Sequence, residues 1–325
     1  MSVTVADIEA AADRIAGQAI VTPLLESAAL NERLDGRVLI KAETLQRVGA
    51  FKSRGAYNRL VQMTSEERVG GVVAFSSGNH AQGVALAAKL LGMPAIIVIP
   101  SDAPRIKVEA TRGYGAEIRF YDRATDDREA ISHELAHERN AVIVPAFNDP
   151  HIIAGQGTVG LEIAEQARSA AVDVDLLMGP VGGGGLMAGA SLAMKAQHQA
   201  LSAFGVEPVG FDDARLSLLA GVRQPAPPAP RSLCDALEAP MLGDLTFPIL
   251  RETLSGVLTV SDAEVAEAMR FAFNHLKLVV EPGGSVALAA LLAGKLQLSG
   301  RTTAIILSGG NVDPGLFQRV LAGEF

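Results

Sequence analysis

One lysine of this 325-residue chain stands where its amine could act as a nucleophile. Lys52 follows Phe51 and precedes Ser-Arg-Gly-Ala, where an extended segment gives way to a predicted helix. The positive end of a helix dipole disfavours the charged form of lysine. A neutral amine can bond covalently to a carbonyl compound, although most lysines are simply solvated at the surface. The position of Lys52 therefore raises a hypothesis of covalent catalysis, which other motifs must support.

A run of four glycines at 182–185 follows a predicted strand at 174–178 and precedes a predicted helix that begins near Leu186. Glycines let the backbone approach a ligand closely, and the free N–H groups of a helix N-terminus attract an anion. A phosphate group best fits this combination. The alternative is a flexible turn, but a turn requires one or two glycines rather than four.

The same run also satisfies a dinucleotide-binding pattern. Gly183, Gly185 and Ala188 have the G-x-G-x-x-A spacing, and Glu207 ends the next predicted strand at about the distance expected for a ribose ligand. An NAD-dependent oxidoreductase is therefore an alternative of a different class. It would leave Lys52 and the segment 77–80 without a role.

Two further polar segments end predicted strands. Ser-Gly-Asn-His at 77–80 follows an apolar run at 72–75, and Ser-Gly-Gly-Asn at 308–311 follows one at 303–307. Helix capping by Asn79, or a turn closed by Asn311, would explain single residues. Because open α/β sheets bind ligands beyond the carboxyl ends of their strands, both segments are also candidates for a binding site.

The elements that must position these residues alternate between strand and helix. One series covers about 70–145 and a second about 159–307, with a proline-rich loop at 224–230. Such alternation predicts parallel sheets joined by right-handed crossovers. The predicted fold class is α/β, with two three-layer domains, mostly parallel sheets and a cleft between the domains.

Composition argues against several classes of function. The net charge is −8 without a basic cluster, so we expect no binding to nucleic acid or to an anionic membrane surface. No apolar run approaches the roughly 20 residues of a transmembrane helix, and the N-terminus lacks the pattern of a signal peptide. The single cysteine, Cys234, excludes an internal disulfide and is typical of a reducing compartment. We therefore expect a soluble, cytoplasmic protein.

Seven motifs together resemble the fold type II (tryptophan synthase β-like) pyridoxal-phosphate enzymes, within the threonine/serine dehydratase and serine racemase family. They fall in family order, at 41–43, 49–56, 76–80, 153–158, 182–185, 281–282 and 307–311. Each motif alone is weak, whereas seven in order are specific. The resemblance implies a large cofactor-binding domain at 1–65 and 146–325. It also implies a small, mobile domain at 66–145 that closes over the substrate.

The resemblance implies roles for individual residues. Lys52 would carry pyridoxal 5′-phosphate and act as the base at the substrate Cα, and Ser77 would be the acid/base on the opposite face. The other residues expected to bind the cofactor are Phe51, Asn79, Gly182, Gly183, Gly184, Gly185, Leu186, Glu281 and Ser308. Those expected to bind the substrate are Ser76, Ser77, Gly78, Asn79, His80 and Arg128.

The implied activity is deamination of a β-hydroxy amino acid, L-threonine or L-serine, to a 2-keto acid and ammonia by α,β-elimination. Ser308 would place a hydroxyl at the pyridine nitrogen, a mild electron sink that suits elimination. A 3-hydroxyaspartate dehydratase and a serine racemase are alternatives in the same family. Ala50 and Ala236 depart from the family pattern on the substrate side, so the preferred amino acid stays open.

A metal site and a homodimer are further implications of the resemblance. Glu207, the Phe211 carbonyl and Asp213 match the acidic site of the racemase branch, and such oxygen ligands suit Mg²⁺ or Ca²⁺. Two solvated carboxylates in a loop are the alternative. Because the chain ends at Phe325, no C-terminal regulatory domain is expected.

Overall fold

The computed structural model describes residues 3–76, 78–103, 105–229 and 231–325. The strands are β1 (Leu24–Glu26), β2 (Arg37–Ala42), β3 (Val72–Phe75), β4 (Ala95–Pro100), β5 (Glu117–Tyr121), β6 (Val142–Ile143), β7 (Leu176–Pro180), β8 (Ser202–Pro208), β9 (Leu254–Val260) and β10 (Thr302–Leu307). The helices are α1 (Val5–Ile15), α2 (Ala28–Leu34), α3 (Lys52–Val61), α4 (Ser65–Gly70), α5 (Asn79–Leu91), α6 (Arg105–Gly113), α7 (Arg128–Arg139), α8 (Pro150–Ser169), α9 (Gly185–Gln197), α10 (Asp213–Ala220), α11 (Thr246–Thr253), α12 (Asp262–Phe271), α13 (Pro282–Leu292) and α14 (Pro314–Leu321).

The strands form two separate sheets. The larger sheet has the order β1-β2-β10-β7-β8-β9, and only β1 runs antiparallel to its neighbour. The smaller sheet has the order β5-β4-β3-β6 and is parallel throughout. Its central strands are continuous apolar runs, as expected for strands covered on both faces. The predicted α/β fold with mostly parallel sheets is confirmed.

Each face of the larger sheet carries its own layer of helices. One core cluster joins strand residues to α1, α8 and α9, and the other joins them to α12 and α13. The smaller sheet lies within 66–145, but its core also includes Ala56 and Leu60 of α3 and Ile152 of α8. The next residue of α8, Ile153, belongs to a core of the larger sheet. Helices α3 and α8 therefore lie between the two sheets.

Capping residues explain where several helices begin. Ser261 and Glu264 form the predicted capping box at the start of α12, with each side chain bonded to a backbone N–H of the other residue. Helix α8 begins at Pro150, nine residues before the predicted start, because the Asp149 side chain accepts hydrogen bonds from the N–H groups of His151 and Ile152. In the described ranges, none of the helices combines the length and the apolar character of a membrane span.

Candidate active site

Lys52 is the first residue of α3, as predicted, and lies between the two sheets. Its Nζ donates a hydrogen bond of 2.8 Å to the Ala146 carbonyl and lies 5.2 Å from the centroid of the Phe51 ring. Burial lowers the pKa of Lys52 to about 8. The amine is therefore far easier to deprotonate than that of a solvated lysine.

The glycine run lies against the same segment that holds Lys52. A Cβ at Gly183 would collide with the ring of Phe147, the residue after Ala146. Gly184 has φ +92°, and a Cβ there would come within 2.8 Å of Leu250 Cδ1 and 2.9 Å of Thr246 Oγ1. These contacts leave room only for glycine. The free N–H groups that begin α9 close this cradle on one side.

Ser308 follows β10 and is tied to the residue before Lys52. Its carbonyl accepts a hydrogen bond of 3.1 Å from the Phe51 N–H, and Ala50 forms an isolated antiparallel bridge with Gly309. Ser308 is buried. The predicted partner of a ring nitrogen thus lies directly beside the Lys52 segment.

Asn79 does not cap α5, contrary to the simpler explanation of its motif. It is the first residue of the helix, the capping position belongs to Gly78, and no side chain caps this end. Instead, Asn79 Nδ2 donates a short hydrogen bond to Glu281 Oε1, and Asn79 Oδ1 accepts one of 2.8 Å from Asn311 Nδ2. Asn79 therefore contacts residues that follow or adjoin strands of the larger sheet.

Ser76, Gly78 and His80, which follow β3, make polar contacts. The Gly78 N–H donates to Ser76 Oγ over 3.2 Å, and His80 Nε2 lies 2.9 Å from the Val144 carbonyl. Because that carbonyl only accepts, Nε2 carries the proton. Burial, and then the nearby Lys52, lower the pKa of His80 to about 3, so its ring stays neutral. The predicted acid/base Ser77 lies outside the described residues.

Arg128 begins α7 and lies against the ring of Phe75. Its guanidinium carbon is 5.3 Å from the centroid of the Phe75 ring, and Phe75 directly precedes Ser76. The side chain is only partly exposed. It lines a cavity of about 430 Å³ together with residues of the loop before α7. Arg128 thus differs from a freely solvated helical arginine.

A buried ionic cluster that the sequence did not predict joins elements of the two sheets. Lys107 of α6 donates a hydrogen bond of 2.8 Å to Asp235 Oδ2, and its Nζ lies 3.7 Å from Glu281 Oε2. Burial raises the pKa of Glu281 to about 7, although Lys107 opposes this shift. Lys107 carries no signal in the sequence, because one lysine in an amphipathic helix has the pattern of a surface residue.

A second buried cluster holds α3 in place. Arg54 donates two hydrogen bonds of 2.8 Å to Glu43, and it also forms an ion pair of 2.6 Å with Glu162 of α8. Lys41 pairs with the other oxygen of Glu162 at 2.6 Å. The motifs around 41–43 and Lys52 thus include residues whose contacts are structural rather than chemical.

Glu207 and Asp213 are buried, so the alternative of two solvated carboxylates in a loop is wrong. Glu207 accepts hydrogen bonds from the N–H groups of Ala214 and Arg215, at 2.9 and 3.0 Å. Burial and then Asp213 raise its pKa well above the usual range. The Glu207 carboxylate is therefore occupied by N–H groups at the start of α10. It is not free to bind a ribose hydroxyl, as the dinucleotide-binding pattern would require.

Asp213 has the properties of an incomplete ligand site. Burial raises the pKa of Asp213 to about 7, and neither of its carboxylate oxygens has a hydrogen-bond partner among the residues that the structure describes. Within residues 3–76, 78–103, 105–229 and 231–325, no cluster of three or more His, Cys, Asp or Glu side chains could hold a metal. A cation here would therefore need backbone carbonyls in addition to the two carboxylates.

Comparisons with known proteins agree with this arrangement. The profile of a family described as "Pyridoxal-phosphate dependent enzyme" matches residues 15–309. An L-threo-3-hydroxyaspartate ammonia-lyase of a Pseudomonas species is 45% identical over 317 residues, which cover 98% of each chain. A threonine deaminase structure from the organism abbreviated T.th. has a TM-score of 0.90 at 44% identity and covers 95% of this chain and 99% of that one. A maize serine racemase structure has a TM-score of 0.93 at 38% identity, and the match covers 100% of this chain and 98% of that one.

The site observed here fits the cofactor of that family, since a glycine run with no room for a side chain at Gly183 and Gly184 lies near a partly buried lysine with a lowered pKa. The profile spans most of the chain, and the relatives cover nearly all of it at well above 30% identity. The chain belongs to the pyridoxal-phosphate-dependent enzymes, in the branch that contains ammonia-lyases and serine racemases.

Proposed function

We propose that this protein is an ammonia-lyase that converts a β-hydroxy amino acid to a 2-keto acid and ammonia. The observation that carries the proposal is the surrounding of Lys52. Its amine has a lowered pKa, and the Ala146–Phe147 segment joins it to the glycine cradle. A hydrogen bond between Phe51 and Ser308 joins it to the end of β10.

The chemistry divides between cofactor and protein. Pyridoxal phosphate, when bound, supplies a sink for the electron pair that remains when the Cα proton leaves. Gly182, Gly183, Gly184, Gly185 and Leu186 would hold its phosphate, Asn79 its phenolic oxygen and Ser308 its ring nitrogen. The Lys52 amine would take the Cα proton, and N–H groups and hydroxyls of 76–80 would hold the substrate carboxylate. The β-hydroxyl leaves as water, and hydrolysis of the released enamine gives the keto acid and ammonia.

Reconstitution tests the proposal directly. The wild-type protein mixed with pyridoxal phosphate should become yellow, and borohydride should fix the cofactor on Lys52, as peptide mass analysis would show. Lys52→Ala should lower activity by several orders of magnitude, about 10³-fold or more. Lys89→Ala, at an exposed lysine of α5, is the matched control and should retain activity. A protein that binds no cofactor, or a Lys52→Ala variant with full turnover, would contradict the proposal.

For the substrate, we propose L-threo-3-hydroxyaspartate as the first compound to test, beside L-serine and L-threonine. Its second carboxylate requires a cation near the segment 76–80, and Arg128 is positioned beside Phe75. The identity to the Pseudomonas enzyme also supports this order.

A variant of Arg128 separates the substrates. Arg128→Ala should raise KM for 3-hydroxyaspartate by about 10- to 100-fold, since a charge-assisted hydrogen bond contributes roughly 1.5–3 kcal/mol. KM for serine should change much less. Arg139→Ala, at the exposed end of the same helix, is the control. Equal effects on both substrates would assign Arg128 to the shared α-carboxylate instead. Product chirality in the same assays would reveal any racemase activity.

We further propose a divalent cation, Mg²⁺ or Ca²⁺, at Glu207, Asp213 and the Phe211 carbonyl. The buried carboxylate pair supports it, because a cation would stabilise both ionised forms. Thermal unfolding with EDTA and with added MgCl₂ tests the site. Stabilisation that disappears in Asp213→Asn is the expected result, and equal unfolding temperatures in EDTA and MgCl₂ would exclude it.

We also propose three properties of the whole protein, namely closure of one unit over the substrate, dimerisation and a cytoplasmic location. The unit at 66–145 closes over the substrate, and its ion pairs across the cleft support this. The protein forms a homodimer, supported by the exposed apolar residues Ile20, Val21 and Leu45 around Gln46. It is cytoplasmic, supported by its free, buried Cys234. Light scattering of wild type and Val21→Glu tests the dimer, and fractionation of the host cells tests the location.

A further inference from the structure

Three segments of the site meet at the amide of Asn311. Its Nδ2 donates a hydrogen bond of 2.7 Å to the Val48 carbonyl and another of 2.8 Å to Asn79 Oδ1. Val48 belongs to the Lys52 segment, Asn79 begins α5, and Asn311 itself ends the turn after Ser308. Both N–H bonds of this amide are therefore used to join elements of the two sheets.

These hydrogen bonds form a series from the Val48 carbonyl through Asn311 and Asn79 to Glu281. The direction of every bond in the series is fixed by the acceptors at its two ends. A backbone carbonyl such as that of Val48 can only accept, so Asn311 must direct its NH₂ group toward it. The second N–H of that group then requires an acceptor, so Asn79 must present Oδ1. Asn79 Nδ2 consequently points to the other side, where the Glu281 carboxylate accepts one of its hydrogens. Among the residues that the structure describes, no acceptor takes the second hydrogen of Asn79, which leaves it for a ligand.

The contact with Val48 also holds a strained backbone. Val48 has φ +58° and ψ +13°, a left-handed conformation that β-branched residues rarely adopt. Such conformations persist only where surrounding contacts enforce them. Asn311 also limits the next residue, because a Cβ at Gly49 would lie 2.8 Å from Asn311 Oδ1. Lys52 follows four residues after Val48.

We propose that Asn311 is a positioning residue that fixes the Asn79 amide with its NH₂ group toward the cofactor's phenolic oxygen and holds the Lys52 segment in register. The inference rests on the proposed function, because it assigns a purpose to the free hydrogen of Asn79. Among the described residues, the Asn311 side chain contacts Val48, Asn79 and Gly49 rather than Lys52.

Asn311→Asp and Asn311→Ala test the inference in the cofactor-loaded protein. A carboxylate cannot donate, so Asn79 must turn its NH₂ group toward residue 311 and lose the contact with the phenolic oxygen. The pH midpoint of the cofactor's visible absorption should rise by about one unit in Asn311→Asp, with about tenfold weaker cofactor binding. In Asn311→Ala, the pH midpoint should also rise and cofactor binding should also weaken, each by a smaller amount. Glu281, Lys107, Asp235, Lys52 and His80, which are ionisable groups near Asn79 or paired with its neighbours, are unchanged in both variants.

Asn31→Ala is the matched control, since Asn31 also joins two elements through its amide but lies far from the site. It should lower the unfolding temperature without changing the absorption midpoint. Val48→Gly in the Asn311→Ala background removes the backbone strain. If this double variant binds the cofactor normally but its pH midpoint stays shifted, the loss of affinity arises from strain at Val48. The shift of the midpoint then arises from the freed Asn79 amide.

The outcomes distinguish this inference from the proposed function. If wild type binds no pyridoxal phosphate, the function itself fails. If wild type binds it and the Asn311 variants titrate like Asn31→Ala, Asn311 is only structural and the inference is overturned. Should Asn311→Asp not fold, Asn311→Ala, which also cannot donate, carries the test with the same expected direction.

Discussion

Burial alone accounts for the lowered pKa of Lys52. The one hydrogen bond of the amine goes to the Ala146 carbonyl, and no carboxylate pairs with it among the residues that the structure describes. The sequence suggested the helix dipole as the cause, and Lys52 does begin α3. The larger effect comes from the fold, which removes the ammonium group from water.

This shift makes stability depend on pH in the cofactor-free protein. Lys52 has a pKa of about 8 when folded, against an ordinary value of 10.5, so the unfolded chain binds more protons between these values. The free energy of unfolding should therefore rise with pH across this window, by roughly 1–3 kcal/mol. Urea unfolding of the cofactor-free wild type at several pH values from 8 to 10.5 measures it.

Lys52→Met lacks the titrating group and serves as the comparison. The difference between the two proteins cancels the contributions of other lysines and tyrosines. We expect Lys52→Met to be the more stable protein at pH 8, with the difference vanishing as the pH approaches 10.5. Parallel pH curves for the two proteins would show that Lys52 has an unshifted pKa.

At the scale of elements, the sequence located the junctions of the site but not the contacts between them. Strand runs that end in polar segments were visible at β3, β7 and β10, because buried parallel strands are continuous apolar runs. The edge strand β9 was missed, since its half-buried residues give no such run. The partners of Asn79 and Asn311 are 202 and 263 residues away, and no local pattern encodes such pairs.

The tight packing around the glycine cradle predicts that a substitution there weakens cofactor binding without unfolding the protein. Gly184→Ala places a methyl group against Leu250 and Thr246 at a backbone conformation that alanine disfavours. The loop must shift, so cofactor affinity should fall by about tenfold or more. Gly221→Ala is the matched control, because Gly221 also has a positive φ but open space around it. Titrations of both variants with pyridoxal phosphate measure the effect, and equal affinities would argue against a tight cradle at Gly184.

The ionic cluster below α3 predicts a loss of stability. Arg54→Met leaves Glu43 and Glu162 buried with only Lys41 to compensate them, and breaking such a pair costs about 3–5 kcal/mol. Arg33→Met removes an exposed pair with Glu267, which contributes about 1 kcal/mol or less. Denaturant unfolding of the two variants compares these costs. Similar losses of unfolding free energy in both variants would show that the charges of the buried cluster contribute little to stability.

On the scale of the whole molecule, charged contacts between the two units add to the apolar packing of α3 and α8. Lys107 reaches from α6, beside the smaller sheet, to Asp235 and Glu281, which belong to the larger unit. Burial lowers the pKa of Lys107, but Glu281 and Asp235 more than offset it, so the pKa is raised and the amine stays charged. Because Glu281 also accepts from Asn79, the same contacts that join the units reach the site.

Removal of this charge should therefore weaken the closure proposed for the unit at 66–145 rather than unfold either sheet. In Lys107→Met, Asp235 and Glu281 lose their cation, and the unit at 66–145 should open more often. Hydrogen exchange should increase in α6 and at 76–80 but stay unchanged in β7 and β10, and substrate KM should rise by about tenfold. Arg105→Met is the matched control, since Arg105 is exposed on the same helix and pairs only with Glu109 of that helix. Exchange that increases equally in both sheets would indicate a global loss of stability, and exchange that matches Arg105→Met would show that Lys107 does not hold the units together.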